Sequence, residues 1–318
     1  MERFICQVLI IVDTNGKDVV SHKGKKMKIL LKQHMILMVA LVWLLPLNCF
    51  AKPPINAHVS ILPQKYFVER IGGNLVKVNV LVKPGKSPAT FSPSPDQIKK
   101  LAASKVYFRI GVPFENSILD KIKSIADIRV IDTRQDIALR MMEGHHHDEK
   151  NHDQKIGNDP HIWMDPLLVK TQAHTIFKTL SIIDPDKEDT YKKNYLLFAK
   201  DLDALDHRLK TTFKNIKGKN LFVFHPSFGY FADAYGLKQI AVESMGKAPK
   251  GKALSFIIKS AKKQKARVIF AQPQFDRNTA QNIASAINGV VVFIDPLAYD
   301  YISNMEKIAH TITRTLKK

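Results

Sequence analysis

The fold of this chain is decided by the stretch from Glu188 to Lys214, which reads EDTYKKNYLLFAKDLDALDHRLKTTFK. Large apolar side chains recur here at steps of three and four residues, with charged residues between them: Tyr191, Tyr195, Phe198, Leu202, Leu205, Leu209 and Phe213. This spacing is typical of an amphipathic helix that buries one face. At about 1.5 Å per residue the helix would span roughly 40 Å, which is long enough to join two lobes.

Strands and helices alternate on both sides of this helix. Before it, apolar runs predict strands at 59–62, 77–82, 105–110 and 129–132, with helices starting at a Ser94 cap and spanning 114–125. After it, strands are predicted at 221–224, 239–242, 268–270 and 290–294, with helices near 227–235, 252–264, 278–287 and 303–316. Such alternation favours parallel sheets that are covered by helices.

The predicted architecture is therefore an α/β protein of two lobes, each with a mainly parallel sheet flanked by helices, joined by one long helix. The N-terminal lobe is expected to cover residues 52–187, the connecting helix 188–214 and the C-terminal lobe 215–318. A chain of this length can bury a separate core in each of two modest domains.

The first 51 residues are expected to be a leader rather than part of either lobe. Residues 1–26 are a mixed stretch before a second methionine, and we interpret them as an upstream overextension of the protein. Residues 27–51 join early lysines, an apolar run and a small-residue end, which is the pattern of a signal peptide. Cleavage after Ala51 is preferred to lipid anchoring at Cys49, because Asn48 is unfavourable before a lipid-modified cysteine.

Composition excludes some classes of site. Both cysteines, Cys6 and Cys49, fall in the leader, so the remainder can form neither disulfides nor thiolate metal sites. The formal net charge of +20 would suit nucleic acid or an anionic membrane surface. The lysines are scattered and do not interleave with aromatic residues in one stripe, so a solvated basic surface is favoured and no nucleic-acid partner is expected.

Three residues are candidates for a metal site: His161, His225 and Asp295. The last two each follow a predicted strand, at the edge where open α/β sheets bind ligands, and His161 comes from the other half of the chain. Two imidazoles and one carboxylate suit a borderline divalent metal such as zinc. Any one of these residues alone would more simply be a packing or turn residue. Their combination favours a site in a cleft.

A polar, histidine-rich segment over residues 142–158 interrupts the pattern just before His161. It has no apolar periodicity, so we expect a mobile loop. Two interpretations stay open: an accessory, low-affinity collector of metal ions, or a surface segment without a role. The histidines concerned are His145, His146, His147 and His152.

The chain resembles the solute-binding proteins of zinc and manganese ABC transporters from about Val59 to its C-terminus. The motifs that carry the resemblance lie at 63–67, 82–85, 110–115, 159–161, 225–231 and 295–297. The resemblance implies a rigid connecting helix and a metal held in the cleft between the lobes. It also implies a monomeric, non-enzymatic periplasmic carrier that delivers its metal to a membrane permease.

The resemblance also assigns the ligands, since His161 matches the second family ligand, His225 the third and Asp295 the fourth. Relatives that favour Mn²⁺ carry a glutamate where His225 stands, so Zn²⁺ is expected in preference to Mn²⁺ or another divalent metal. The chain departs from the family at the first ligand, because Ala89 occupies the usual histidine position.

Several groups are candidates to complete the site in place of that histidine. Water is one, an N-terminal-lobe side chain such as Gln64 or Glu115 is another, and a histidine of the loop is a third. His58 is a further candidate, but it is expected to precede its strand and to point to solvent.

Two other classes of function compete with a carrier. An open coordination position also fits a zinc-dependent hydrolase, which would need a general base near the metal. Glu243 is the sole candidate base, and a surface or helix-cap position is the simpler interpretation of it. A metal-storage or adhesion protein on the same scaffold is the third class. The chain has no Gly-x-Ser-x-Gly elbow and no phosphate-binding glycine loop.

Overall fold

The computed structural model describes residues 34, 52–125, 127–142, 157–243, 249 and 251–317. The predictions for residues 1–51, His34 apart, and for the four loop histidines lie outside the described residues and remain predictions. Within the part of the chain that is described, no helix combines the length and apolar character that a membrane span requires. All the elements below belong to the unit Pro53–Lys318.

The N-terminal lobe is built on a parallel sheet with the strand order β2-β1-β3-β4. Its strands are β1 (Ile55–Val59), β2 (Val76–Val80), β3 (Val106–Arg109) and β4 (Arg129–Asp132). Its helices are α1 (Leu62–Gly72), α2 (Pro95–Ala102) and α3 (Phe114–Ile125). The helix start predicted at Ser94 is confirmed, because Ser94 and Gln97 cap each other's backbone N–H groups.

The C-terminal lobe repeats the design with the parallel strand order β6-β5-β7-β8. Its strands are β5 (Asn220–Val223), β6 (Lys238–Ala241), β7 (Val268–Ala271) and β8 (Val290–Phe293). Its helices are α6 (Gly229–Tyr235), α7 (Gly251–Lys263), α8 (Arg277–Ala286) and α9 (Tyr301–Leu316). The chain crosses from one side of the sheet to the other between β5 and β7, so a crevice opens at the carboxyl ends of these two strands.

Successive side chains of strand β5 point alternately into two separate hydrophobic cores of the C-terminal lobe. Leu221 and Val223 of β5 belong to the main core, which continues into the N-terminal lobe. Phe222 and Phe224, which point to the other face, belong to a smaller core under α7 and α8. The sheet is therefore buried on both faces, as parallel sheets usually are.

The long helix α5 (Glu188–Phe213) connects the lobes, and α4 (Pro166–Ile183) precedes it and packs along it. The predicted apolar face of α5 is confirmed, with Tyr195 half-buried and the other six members buried. Phe198 packs on Phe67 of the N-terminal lobe at 5.9 Å between ring centroids, and Phe213 packs on Phe231 of the C-terminal lobe at 5.3 Å. One helix therefore takes part in the cores of both lobes.

The start of the N-terminal lobe differs from its prediction. The strand predicted at 59–62 runs instead over Ile55–Val59, and Leu62 begins helix α1. Pro63 explains the change, because proline suits the first turn of a helix and cannot donate to a sheet. His58 consequently lies inside β1 and is only 4% exposed, with its Nδ1 2.6 Å from Ser104 Oγ. The prediction that His58 points to solvent is wrong.

Candidate metal centre

His161 is fixed by the carboxylate of Asp159, two residues before it. Asp159 Oδ1 accepts hydrogen bonds from the backbone N–H of His161 at 3.0 Å and from the ring Nδ1 at 2.7 Å. This hydrogen bond favours the tautomer with the proton on Nδ1, which in a neutral imidazole leaves the lone pair on Nε2. Both residues are buried, and Arg140 Nη1 lies 3.7 Å from the other oxygen of Asp159.

His225 is held in the same way from the opposite lobe. It follows β5, and its Nδ1 donates to the buried carboxylate of Glu243, which follows the neighbouring strand β6. Gln272, just after β7, bonds both to the backbone N–H of His225 at 3.1 Å and to its carbonyl oxygen at 3.0 Å. The ring of Phe275 stacks on the imidazole at 4.6 Å. Burial lowers the pKa of His225, although Glu243 acts in the opposite direction, so the imidazole is neutral at neutral pH.

The two imidazoles point their Nε2 atoms at each other at a distance of 3.2 Å. With the proton on each Nδ1, two lone pairs face one another, an arrangement that a cation between them would stabilise. Two nitrogens bound to one tetrahedral zinc, each at about 2.0–2.1 Å, lie roughly 3.3 Å apart. A carboxylate behind each metal-binding imidazole is also the usual support of such ligands. The donor set of His161 and His225 therefore fits a zinc ion.

Asp295 lies near this pair but does not join it in the structure. It follows β8, and its Oδ1 accepts from Gln274 Nε2 at 2.8 Å and from the backbone N–H of Leu297 at 2.9 Å. Gln274 and Leu297 border both the cleft of the histidine pair and the neighbouring cleft that Asp295 lines. Among the described residues, no group of three His, Cys, Asp or Glu side chains is arranged to hold a metal. The structure thus brings together two of the three predicted ligands.

The cleft in front of the histidine pair lies between the lobes and has a volume of about 50 Å³. Ala89 and Pro113 line it from the N-terminal lobe, and Phe275 lines it from the C-terminal lobe. Trp163, whose ring lies 5.1 Å from that of His161, is anchored by a hydrogen bond from Nε1 to Pro296 O at 2.9 Å. Apart from the imidazoles, most of the lining is apolar, which strengthens electrostatic interactions with any ion inside.

Gln64 is held away from this site by hydrogen bonds within its own lobe. It is fully buried inside the N-terminal lobe, where its Oε1 accepts from Ser60 N at 3.1 Å. Its Nε2 donates to Phe108 O at 3.2 Å. Both ends of the amide are therefore engaged within the lobe, which disfavours Gln64 as a metal ligand.

The carboxylate of Glu115 is likewise hydrogen-bonded within its own lobe. Its carboxylate is fully buried and accepts from the backbone N–H groups of Ile110 at 2.9 Å and Gly111 at 2.7 Å. It also pairs with Arg109 Nε at 3.2 Å and accepts from the Ser60 hydroxyl. A carboxylate with this many donors gains little by leaving them, so these bonds disfavour Glu115 as a metal ligand.

The sequence did not identify Asp159, Glu243 and Gln272 as supports of the ligands, although Asp159 lies in the motif at 159–161 and Glu243 was considered as a general base. Glu243 is 1% exposed and bound to His225, so its interpretation as a surface or cap residue is wrong. One rule would have found it, since the residues just beyond adjacent parallel strands meet at one sheet edge. Four residues follow this rule, each placed just beyond its strand: His225 after β5, Glu243 after β6, Gln272 after β7 and Asp295 after β8.

Comparison with known proteins agrees with this architecture. The family model of the periplasmic zinc-uptake complex component A, ZnuA, matches residues 58–315. A crystal structure of ZnuA shares 37% sequence identity with a TM-score of 0.75, over 82% of this chain and 98% of that one. A zinc-bound ZnuA deletion mutant shares 38% identity with a TM-score of 0.75, over 82% and 97% of the two chains.

A longer relative matches over a shorter part of its own length. The zinc-binding lipoprotein AdcA of Streptococcus pneumoniae is 28% identical over 288 residues, which cover 82% of this chain but 56% of AdcA. The chain therefore spans little more than half of that relative. The family match itself extends across both lobes and the long helix between them. This chain belongs to the ZnuA family of periplasmic zinc-uptake components.

Proposed function

We propose that this protein captures Zn²⁺ in the cleft between its lobes and delivers it to the membrane permease of an ABC transporter. The observation that carries the proposal is the pair of buried imidazoles, with Nε2 atoms 3.2 Å apart and a carboxylate behind each ring. Membership of a zinc-uptake family supports the same cargo. Nitrogen ligands favour zinc over manganese, which prefers oxygen ligands.

His161 and His225 are the proposed ligands that the fold preorganises, and Asp295 is the proposed third. Asp295 lies just beyond β8, on the same sheet edge as His225. It is hydrogen-bonded to Gln274, which lines the cleft. Exchange of its bond to Gln274 for a metal ion would bring in the carboxylate that a two-imidazole site needs to offset the charge of Zn²⁺.

The same proposal also concerns the cellular location of the protein and its membrane partner. Solute-binding proteins of ABC transporters work with a membrane permease, and the family is periplasmic or, as in AdcA, a lipoprotein. We infer export by the signal peptide at residues 27–51, with the periplasm preferred to a lipid anchor at Cys49, and a monomeric state. The histidines of the loop, His145 to His147 and His152, act as an accessory collector of metal ions.

The hydrolase alternative is not retained. The chain belongs to a family of carriers that are not enzymes. Glu243, the candidate base, is occupied in holding His225. No observation favours the storage or adhesion alternative over transport.

Titration of the metal-free protein with Zn²⁺ and with Mn²⁺ tests the proposal. We expect one tight zinc site, weaker for manganese, that is lost in His161→Ala and in His225→Ala and weakened in Asp295→Ala. His207→Ala is the matched control, because His207 is an exposed histidine on α5. Deletion of residues 143–153 should leave the tight site intact and remove only weaker binding. Tight binding that survives loss of both cleft histidines would contradict the proposed site.

A further inference from the structure

The lining of the metal cleft has two parts that differ in chemistry. One part presents the imidazoles of His161, from the N-terminal lobe, and His225, from the C-terminal lobe. The second part, a wall that also comes from the N-terminal lobe, consists of Ser87, Pro88, Ala89, Val112 and Pro113. None of these five side chains is an imidazole, a carboxylate or a thiolate, the groups that bind zinc strongly in proteins. The hydroxyl of Ser87 already accepts a hydrogen bond from Ala89 N at 3.3 Å.

Polar groups deeper in the N-terminal lobe do not compensate for this wall. Gln64 and Glu115, the two side chains with suitable donor atoms, are fully buried and engaged in the hydrogen bonds described above. Among the described residues, the N-terminal lobe therefore offers the cleft no strong ligand besides His161. A four-coordinate zinc on His161, His225 and Asp295 would have one position left, in a cleft that Ala89 also lines.

The space in front of this position admits more than one water molecule. A single water molecule needs about 10–15 Å³ of accessible cavity volume. The cleft has about 50 Å³, so it leaves room beside the ion for a ligand larger than a single water molecule. Its Pro, Ala and Val surfaces favour a ligand with apolar faces over water alone.

The rim of the cleft also holds an unsatisfied hydrogen-bond acceptor. Gln274 lines the cleft, and its buried Oε1 has no hydrogen-bond partner among the described residues. An imidazole that binds a metal through one nitrogen keeps an N–H on the other, and this N–H needs an acceptor. Water in the same position gains less from the apolar wall.

We propose that this protein binds Zn²⁺ as a ternary complex, in which a small soluble ligand of the imidazole class fills the remaining coordination position, in the cleft that Ala89 lines. The ligand replaces a water molecule, gives one nitrogen lone pair to zinc and donates its N–H to Gln274 Oε1. This inference depends on the proposed function, since it requires zinc at the histidine pair.

The test measures how imidazole alters the zinc affinity of the metal-free protein. Free zinc is set with a metal buffer that is calibrated at each imidazole concentration. If imidazole binds only the zinc-loaded protein, the apparent zinc affinity rises as one plus the ratio of imidazole to its Kd. At ten times that Kd the gain is about tenfold. With Co²⁺ in place of zinc, imidazole should also change the visible absorption bands of the bound metal.

Ala89→His supplies the same ring from the protein itself. We expect this variant to bind zinc about tenfold or more tightly without imidazole, and to lose the dependence on imidazole. Ala103→His is the matched control, because it adds a histidine at an exposed position after α2, away from the cleft. The control should keep both the zinc affinity and the imidazole dependence of the parent.

The outcomes separate this inference from the proposed function. Zinc binding that needs His161 and His225 but does not respond to imidazole overturns the inference and leaves the function in place. A response that arises only after replacement of the four loop histidines by serine also overturns it, because the loop would then close the site. Zinc binding that is independent of His161 and His225 overturns the proposed function itself.

Discussion

At the scale of single residues, the site depends on two buried carboxylates that do not themselves face the cleft. Asp159 and Glu243 each accept the Nδ1 proton of one imidazole and so direct Nε2 towards the other ring. Without such an acceptor an imidazole can change tautomer or rotate, and either change removes a lone pair from the cleft. The metal affinity should therefore respond to residues that do not touch the metal.

Glu243→Ala tests this dependence. We expect zinc affinity to fall by about 10–100-fold, the usual cost of losing such a partner, while the protein remains folded. Glu243→Gln should cost less, because its amide oxygen can still accept from His225 Nδ1. Competition with a chelator of known affinity measures both variants. Unchanged affinity in Glu243→Ala would mean that Phe275 and Gln272 suffice to orient the ring.

His58 gives the protein a dependence of stability on pH that is separate from the site. Burial lowers the pKa of His58 to about 4. Above its unfolded pKa of about 6.5 the residue is neutral in both states. As the pH falls from there towards 4, only the unfolded chain takes up the proton, so the free energy of unfolding decreases. Below pH 4 this residue causes no further loss.

The expected loss from His58 is on the order of 2–3 kcal/mol between pH 7 and pH 4. Urea unfolding of the metal-free protein at several pH values measures it. His58→Gln, which cannot take up a proton in this range, should lose less stability on acidification than the parent. The same substitution at His310, which is exposed on α9, is the control and should leave the pH dependence of the parent unchanged.

At the scale of elements, helix α5 offers a matched pair of leucines. Leu202 is fully buried on the face that packs into the core, whereas Leu196 is 55% exposed on the same helix. Leu202→Ala should lower the free energy of unfolding by about 2–5 kcal/mol through lost burial and the cavity that remains. Leu196→Ala should change it by less than about 0.5 kcal/mol. Thermal or urea unfolding distinguishes them, and equal effects would contradict the burial assigned to α5.

The helices and strands also show which parts of the fold could be predicted from the sequence. Long periodic segments such as α5, and strands followed by polar residues, are specified locally, so their type and order were predictable. Helix α1 was missed because an apolar stretch of the kind at 59–62 suits either a strand or a helix start, and Pro63 decided it. The hydrogen bonds of Gln64 and Glu115 join them to residues that are distant in the sequence, and no local sequence pattern reveals such partners.

At the scale of the whole molecule, the lobes are joined by packed helices and not by a flexible linker. Phe67 of α1 contacts Phe198 of α5 and also Tyr301 of α9, with 5.0 Å between the ring centroids of the latter pair. The Tyr299 hydroxyl donates to Glu69 at 2.6 Å, across the same boundary. The last helix of the C-terminal lobe is thus anchored on the first helix of the N-terminal lobe.

Such anchoring predicts that zinc binding involves little movement between the lobes. Close-packed side chains resist continuous deformation, and opening a hinge here would separate buried aromatic rings. We expect the distance between spin labels at Lys77→Cys and Lys259→Cys, one exposed site in each lobe, to change by less than about 2 Å on zinc binding. Cys6 and Cys49 are removed for this measurement, which uses pulsed electron resonance.

A label pair within the N-terminal lobe, Lys77→Cys with Lys121→Cys, reports the change expected for a single rigid lobe. If the pair between the lobes shifts no more than this control, capture depends on side-chain movement at the cleft, with Asp295 exchanging Gln274 for the ion. A shift of several ångströms confined to the pair between the lobes would instead require the contacts of Phe67 to break. Phe67→Ala should then enlarge the shift, because it removes the ring on which both α5 and α9 pack.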